Sequence, residues 1–489
     1  MTIQYEPVRS RPESEGVPSK AFVRLMEALQ EWDVPLHSLL AARHGKVILE
    51  AYYEPYDENT LHRMFSITKS FTSLAIGILE QDGRLRLSDK ICSYFPEYLP
   101  ENPHPWLLAV TIEDMLTMRT CHNHTTYNKT SESENWVRSF FETEPARRPG
   151  TIFRYDTSAS HTLCALAEKL TGKELLEFLR ERVLNRIGFS RDSYIIKDPF
   201  GTSMGGSGLM AYPMDLMKLG LLLMNGGRSP VDNSRLYPQS YLERAVACRC
   251  IPGRSRSERD GYGYQFWLLP EGGYACCGMG DQLLLCYPKQ DMIFAITADT
   301  QGMAGGTDII YKLVESEIFP YLKEGKAEER PEERRQLEEM RKHLTVPMVQ
   351  SAGMREGYSD DINGRMYPLC PNMGGFERMG VQAEAEDLGI LRYVKNGKSL
   401  ELPFGIGRLE EAVFPEYGQK CVASGAWIDG ETFEILCWLV DETVASVLFR
   451  LHFGPSGLTV QMKKTEETRW NEYQGILNTD RGMTDETDC

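Results

Sequence analysis

The first 322 residues contain two kinds of hydrophobic pattern. Short apolar runs of the kind that form strands lie near both ends of this segment, and helical periodicity fills its middle. The strand-like segments are 37–54, around a turn at His44-Gly45, and 262–300; the helical segments are 66–81, 111–118, 159–187 and 213–227. A sheet assembled from both ends of the segment, with helices packed around it, is an α+β fold.

A second pattern begins after a charged run at 323–345. This run is long enough for an exposed helix with i,i+4 ion pairs, and we interpret it as a solvated linker helix. Residues 346–475 have strand patterns and hairpin signals at Asn396-Gly397 and Asp429-Gly430, which predict a separate, smaller antiparallel β domain. The composition of 476–489 predicts a disordered tail.

Composition and charge narrow the class of protein. The 489 residues are 42% hydrophobic and 25% charged, as in an ordinary globular protein large enough for two domains. A net charge of −16 disfavours nucleic acid and anionic membranes as partners. No apolar run has the length of a membrane span, and the N-terminal residues lack the apolar core of a signal peptide.

Twelve cysteines are scattered without C-x-x-C pairs, which is typical of reduced cysteines in a protein that is not secreted. We therefore expect a cytoplasmic protein. Homo-oligomerisation stays open at this point.

The strongest catalytic motif is Ser66-Ile67-Thr68-Lys69, at the start of the predicted helix 66–81. Positions i and i+3 share one helix face, so the hydroxyl and the amine can touch. The N–H groups at a helix N-terminus also favour a developing oxyanion. A serine needs a base, and lysine serves as one only if burial or a cationic neighbour lowers its pKa from about 10.4. The alternative is a helix-capping serine beside a surface lysine.

A second candidate is Tyr155, which precedes the helical segment 159–187. We expect its phenol to lie beside the serine and to share the proton transfer, with a pKa lowered by the lysine ammonium group. The alternative is an aromatic side chain packed at a helix entry.

A third candidate is Cys276-Cys277-Gly278-Met279, directly before a predicted strand. A glycine here permits a substrate backbone to approach closely, and a backbone N–H could complete an oxyanion hole. The alternative is an ordinary glycine turn.

In this order and spacing, the three motifs resemble those of the β-lactamase-related serine hydrolases. That family includes class C β-lactamases, D-Ala-D-Ala carboxypeptidases, D-aminopeptidases, family VIII esterases and nylon-oligomer hydrolases. Its pattern is S-x-x-K, then Y-x-N and K-T-G or variants of them. The resemblance extends over about 10–320, through segments such as GRLRLSDKICSYFPE and GGSGLMAYPMDLMKLG. It implies a β-lactamase/transpeptidase-like domain, with an antiparallel sheet flanked by helices and a helical subdomain.

The resemblance also implies roles for the residues of the motifs. Ser66 would attack a carbonyl and form an acyl-enzyme, while Lys69 and Tyr155 take and return its proton. The backbone N–H groups of Ser66 and Met279 would form the oxyanion hole, and Gly278 would hold the third-motif strand. No metal or cofactor is expected.

Two departures from the family pattern affect the expected substrate. Thr157 stands where the family has an asparagine that binds the substrate amide, and Cys276 stands where a lysine or histidine helps to bind a substrate carboxylate. With the adjacent Cys277, they are still expected to line the substrate site. The missing cation argues against a penicillinase or cell-wall enzyme and favours the esterase and amidase branch. We expect cleavage of a small ester, amide or short peptide; acyl transfer and a catalytically silent ligand-binding protein stay open.

The remaining candidates have less support. His122 follows the helical segment 111–118, where family members line the substrate cleft, and no partners with zinc-ligand spacing accompany it. Gln282, after the third motif, is expected either to contact a leaving group or simply to begin a strand. The glycine-rich segment 201–208 lacks the G-K-[ST] ending of a phosphate-binding loop.

Overall fold

The chain forms two compact units in this computed structural model, Met1–Leu344 and Thr345–Cys489. The structure describes residues 5–129, 131, 134–253, 261–352, 362–455, 457–466 and 472–479. Within those ranges, no helix is both long enough and apolar enough to cross a lipid bilayer.

The first unit contains the helices of the described chain. The α-helices are α1 (Ser19–Glu31), α2 (Ile67–Gln81), α3 (Pro105–Ala109), α4 (Ile112–Leu116), α5 (Trp136–Glu142), α6 (Thr157–Thr171), α7 (Leu175–Arg182), α8 (Pro213–Met224), α9 (Gln239–Ala245), α10 (Gly306–Glu317) and α11 (Pro331–Lys342). Short 3₁₀ helices lie at Pro12–Glu15, Ile91–Ser93, Pro96–Tyr98, Leu184–Ile187, Pro270–Gly272, Thr300–Gly302 and Phe319–Tyr321.

The strands of the first unit form two sheets. They are β1 (Leu36–Arg43), β2 (Lys46–Tyr52), β3 (His62–Arg63), β4 (Tyr194–Ile195), β5 (Leu209–Ala211), β6 (Gly261–Tyr262), β7 (Trp267–Leu268), β8 (Tyr274–Gly278), β9 (Gln282–Tyr287) and β10 (Met292–Ala298). The larger sheet has the order β2-β1-β10-β9-β8-β7-β6, and the smaller one the order β3-β5-β4.

The larger sheet joins both ends of the first unit. β1 pairs antiparallel with β10, from Leu36 opposite Ala298 to Arg43 opposite Met292. The other neighbouring pairs are antiparallel as well. This confirms the α+β fold and the sheet assembly predicted from the hydrophobic pattern.

Helices cover both faces of this sheet. In β9, Leu283 and Leu285 belong to the core that α1, α10 and α11 share, whereas Leu284 and Cys286 belong to the core beneath α2 and α8. Alternate residues of a strand point to opposite faces, so β9 contributes to both cores. The helices α2 to α7 enlarge the second core into a helical subdomain. This arrangement agrees with the antiparallel sheet, flanking helices and helical subdomain that the resemblance implies.

The charged segment 323–345 differs from the expected linker. Its helix α11 packs on α1, and Leu337, only 4% exposed, lies in the same core as Leu344. The predicted helix is present, is mostly exposed and has the i,i+4 ion pair Arg334–Glu338, but it belongs to the first unit. A single apolar position among its charged residues attaches one face of the helix to that unit.

The second unit is the separate β domain that the later pattern predicts. Its strands are β11 (Tyr367–Pro368), β12 (Phe376–Ala385), β13 (Leu388–Lys395), β14 (Lys398–Ile406), β15 (Glu410–Phe414), β16 (Gln419–Trp427), β17 (Thr432–Val440), β18 (Val444–Gly454), β19 (Gly457–Lys464) and β20 (Gly475–Asn478). They form one sheet, antiparallel except where β14 meets β16, with β15 also paired to β16.

Both hairpin signals of the second unit lie in turns between paired strands. Asn396 and Gly397, each with a positive φ, join β13 to β14. Asp429 accepts backbone hydrogen bonds from Glu431 and Thr432 between β16 and β17. The predicted tail began too early, because 476–478 belong to β20; the rest of that tail, from 480 onward, lies outside the described residues.

Candidate active site

Ser66 is the N-cap residue of α2, a helix whose residues Ile67 to Leu79 are all buried. The preceding Phe65 has φ 43°, a left-handed conformation that costs about 1–3 kcal/mol and is concentrated at functional sites. Two hydrogen bonds hold the turn: Thr68 Oγ1 donates to Phe65 O at 2.6 Å, and the Met64 N–H donates to Leu209 O of β5 at 2.8 Å. The serine is thus presented by a rigid helix and a strained, supported turn.

Lys69 lies one helical turn after Ser66 and is only 1% exposed. Its Nζ is 2.8 Å from Ser66 Oγ and donates a hydrogen bond to Gly206 O at 2.6 Å. The side chain is therefore not the surface lysine of the alternative interpretation. Its amine is held between the serine hydroxyl and a backbone carbonyl of the glycine-rich segment before β5.

Tyr155 completes a cluster of three side chains. Its hydroxyl shares a hydrogen bond with the Ser66 side chain, and Lys69 Nζ lies 4.8 Å from the centre of its ring. Although 37% of the residue is exposed, burial of the hydroxyl raises the pKa of Tyr155 above 10, against the lowering effect of the bond to Ser66.

The pKa shift of Tyr155 corrects the sequence-based expectation. We expected the lysine ammonium to lower this pKa, but desolvation is the largest cause and acts in the opposite direction. The resting phenol is therefore protonated at neutral pH. The first proton transfer of Tyr155 is therefore the donation of its phenol proton.

Thr157 lies beside the lysine pocket. It is the first residue of α6, and its N–H donates to Thr125 Oγ1 at 3.0 Å. A Cβ on Gly206 would lie 2.5 Å from Thr157 Cγ2 and 3.7 Å from Lys69 Nζ. Thr157 thus borders the site at the position where the family pattern has asparagine.

The end of β8 approaches the nucleophile turn closely. A Cβ on Gly278 would lie 2.3 Å from Met64 O, so only glycine permits this approach. Met279 follows directly, which brings its backbone near the start of α2. The Ile67 N–H donates a hydrogen bond to Met64 O. The Ser66 N–H lies at the start of α2, where the helix itself provides no acceptor for the first N–H groups.

The two cysteines of the third motif point away from each other. Cys276 is buried against α2 and shares a hydrogen bond with the Ser70 side chain. Cys277 Sγ lies 3.2 Å from the Tyr311 hydroxyl of α10, on the opposite face of the sheet. Burial raises the pKa of both thiols. Neither side chain supplies a charge. Cys277 is only half-buried and lies close enough to Tyr155 to raise the pKa of that phenol further.

Two residues expected near substrate have buried side chains that bond within the protein, and Gln282 begins β9, as its alternative interpretation held. The Gln282 side chain is fully buried; its Nε2 donates to Met279 O at 2.9 Å and Ala298 O at 2.7 Å. His122 is also buried, and its Nε2 donates to Phe140 O at 2.9 Å. Gln282 supports the turn after β8, and His122 fastens its loop to α5. These roles could not be predicted, because the sequence does not reveal which polar side chains satisfy buried backbone groups.

Sequence reasoning also missed two residues that the structure brings to this site. Gly206 supplies the carbonyl that accepts from Lys69, and Trp267 stacks on Tyr155. The GGSG run was a signal for close backbone approach, but its partner could not be read from the sequence. In the part of the chain that the structure describes, no group of three or more His, Cys, Asp or Glu side chains could hold a metal ion.

Comparison with known proteins agrees with this architecture. A family model for β-lactamase matches residues 22–315, more than half of the chain. The chain is 24% identical over 254 residues to the 6-aminohexanoate-dimer hydrolase of Paenarthrobacter ureafaciens, an alignment that covers 48% of this chain and 62% of that protein. The chain therefore spans less than two thirds of that relative's length.

Two solved structures share the fold. A Bacillus anthracis protein, provisionally named a 6-aminohexanoate-dimer hydrolase, has a TM-score of 0.54 and 21% identity, over 64% of this chain and 86% of that one. The octameric penicillin-binding protein homologue of Pyrococcus abyssi has a TM-score of 0.50 and 18% identity, over 94% and 99%. With the match of the family model, these findings show that the chain belongs to the β-lactamase family.

Proposed function

We propose that this protein is a serine hydrolase that forms an acyl-enzyme on Ser66 and cleaves a small ester, amide or short peptide. The observation that carries this proposal is the buried amine of Lys69, 2.8 Å from Ser66 Oγ and beneath the Tyr155 ring. A serine hydroxyl becomes an effective nucleophile only beside a base within hydrogen-bond reach. Burial favours the neutral form of an amine, which is the form that can accept a proton.

In the acylation step, Ser66 Oγ would attack the substrate carbonyl carbon while its proton passes to Lys69 Nζ. A neutral amine can accept this proton and still donate to Gly206 O. The N–H groups of Ser66 and Met279 would stabilise the negative oxygen of the tetrahedral intermediate. The protonated phenol of Tyr155 would give its proton to the leaving group as the carbonyl–heteroatom bond breaks, and would then recover a proton from the Lys69 ammonium.

In the deacylation step, water would attack the ester carbonyl of the acyl-enzyme. Lys69, again neutral, would take a proton from this water, directly or through Tyr155. The bond between the acyl carbon and Ser66 Oγ would then break, and Oγ would regain a proton. The net reaction adds one water to one ester or amide bond, which balances without a redox partner or cofactor.

The walls of the site support a substrate without an essential carboxylate. Cys276, where related enzymes have a cation, is buried and carries no charge. Thr157 offers a small side chain where the family pattern has an amide. The relative named 6-aminohexanoate-dimer hydrolase supports an amide bond as one substrate type. We therefore propose the esterase and amidase type of chemistry and not the turnover of β-lactams.

Labelling with a fluorophosphonate probe tests this proposal. The parent protein should form a covalent adduct, and Ser66→Ala should abolish it. Ser316→Ala, which removes a hydroxyl on the exposed face of α10, is the matched control and should label like the parent. Hydrolysis of a panel of p-nitrophenyl esters and D-amino-acid anilides should follow the same pattern. Full labelling of the Ser66→Ala protein would remove Ser66 from its role.

A further inference from the structure

Tyr155 has an aromatic partner outside the three motifs. The indole of Trp267 stacks on its ring, with ring centres 5.9 Å apart and planes inclined by 21°. Trp267 is itself packed edge-on against Tyr262 at 4.9 Å and Phe153 at 6.1 Å. A small aromatic cluster thus lies directly behind the phenol.

The strand that carries Trp267 is joined to the third motif. β7 pairs with β8, and Trp267 lies opposite Ala275, three residues before Gly278. The strand that carries the indole is therefore hydrogen-bonded to β8, whose end approaches the nucleophile turn. Tyr155, in contrast, lies in the loop before α6, where no strand or helix sets its direction.

The position of the Tyr155 hydroxyl depends on two rotatable bonds of its side chain. The hydrogen bond to Ser66 restrains one end of the ring, and the amine of Lys69 lies over it. Neither contact sets the tilt of the ring plane. A stacked indole does, because offset aromatic pairs have a preferred separation and tilt. It also removes water from one side of the phenol.

We propose that Trp267 is a positioning residue, whose indole holds the Tyr155 ring so that the phenol stays hydrogen-bonded to Ser66. This inference rests on the proposed function, since it assigns Trp267 a task only if Tyr155 takes part in proton transfer. Trp267 itself transfers no proton and forms no bond to the reacting atoms.

A double-mutant cycle tests this role, with the second-order rate of fluorophosphonate inactivation as its readout. We expect Trp267→Ala to slow the reaction about 100-fold, which is the cost of displacing a catalytic group, here the Tyr155 hydroxyl, by about 1 Å. Trp267→Phe keeps an aromatic face and should stay within about threefold of the parent. In a Tyr155→Phe background, Trp267→Ala should have no further effect, because the group that it positions is already absent.

The pH dependence gives a second readout. Without the indole, water reaches the phenol and the pKa of Tyr155 falls towards its usual value of about 10. The alkaline limb of the rate profile should therefore move to lower pH in Trp267→Ala but stay in place in Trp267→Phe. Trp32→Ala, at an exposed tryptophan at the end of α1, is the control for the loss of an indole elsewhere and should behave like the parent.

Each outcome decides for or against the inference. Parental rates in Trp267→Ala, or an equally large loss when Tyr155 is already phenylalanine, would show that the indole does not act through the phenol. Circular dichroism identifies a variant that fails to fold, and Trp267→Leu then replaces the alanine variant in the cycle. Undiminished labelling of Ser66→Ala would instead overturn the proposed function, so the two failures are distinguishable.

Discussion

Gly206 offers a direct test of how tightly the amine of Lys69 must be held. Its carbonyl accepts from Lys69 Nζ at 2.6 Å. A methyl group on Gly206 would lie 2.5 Å from Thr157 Cγ2 and 3.0 Å from Thr157 O. Gly206→Ala must therefore push the glycine-rich segment and the start of α6 apart, and the segment carries the carbonyl that positions the amine.

The size of the effect follows from these distances. Carbon atoms pack favourably at about 3.5–4.0 Å, so the 2.5 Å contact requires a movement of about 1 Å. Misplacing a catalytic group by about 1 Å costs about 100-fold in rate, equivalent to about 2.7 kcal/mol of transition-state stabilisation. We expect Gly206→Ala to slow fluorophosphonate inactivation by about that factor while the protein stays folded.

Two further variants make the experiment specific. Thr157→Ser deletes only the methyl group of the 2.5 Å contact, so combining it with Gly206→Ala should restore much of the rate. Gly325→Ala is the matched control, because a Cβ there meets no atom within 4 Å. A parental rate in Gly206→Ala, or the absence of any rescue by Thr157→Ser, would refute the reasoning that the Gly206 carbonyl places the amine.

Two other predictions concern a charge and a buried histidine. Lys69→Arg replaces the amine with a guanidinium that stays protonated and cannot accept a proton, so labelling should fall by about 100-fold or more, and parental labelling would show that the amine is not the base. Burial lowers the pKa of His62 to about 4, so the unfolded chain binds more protons between pH 6.5 and 4. His62 should therefore account for a loss of about 3 kcal/mol of stability as the pH falls through that range, in addition to the losses from His37 and His122, whose pKa values burial also lowers. In urea titrations at several pH values, His62→Gln should reduce this loss. If the free energy of unfolding depends on pH as it does in the parent, His62 is not the source of the loss.

Local spacing predicted the parts of the site that lie close together in the chain. Ser66 and Lys69 are three residues apart, and helix geometry alone brings such a pair onto one face. The α+β fold could be predicted because strand and helix periods differ clearly. The hairpin at Asn396-Gly397 was predictable for a similar reason, since both residues favour a positive φ.

Long-range packing decided what the sequence could not reveal. The pKa of Tyr155 rises because surrounding elements exclude water from its hydroxyl, and no local pattern reports that exclusion. Gln282 and His122 were expected near substrate, but each satisfies a buried backbone carbonyl. Trp267 escaped notice because its contact with Tyr155 joins segments more than a hundred residues apart.

The most direct test of the account is to find where an acyl group is attached during turnover. The protein is mixed with an activated p-nitrophenyl ester, quenched in acid and digested, and the peptides are analysed by mass spectrometry. We expect an acyl adduct on Ser66 in the parent and none on that peptide in Ser66→Ala. Turnover at the parental rate in Ser66→Ala, or an adduct found only on another residue, would contradict it.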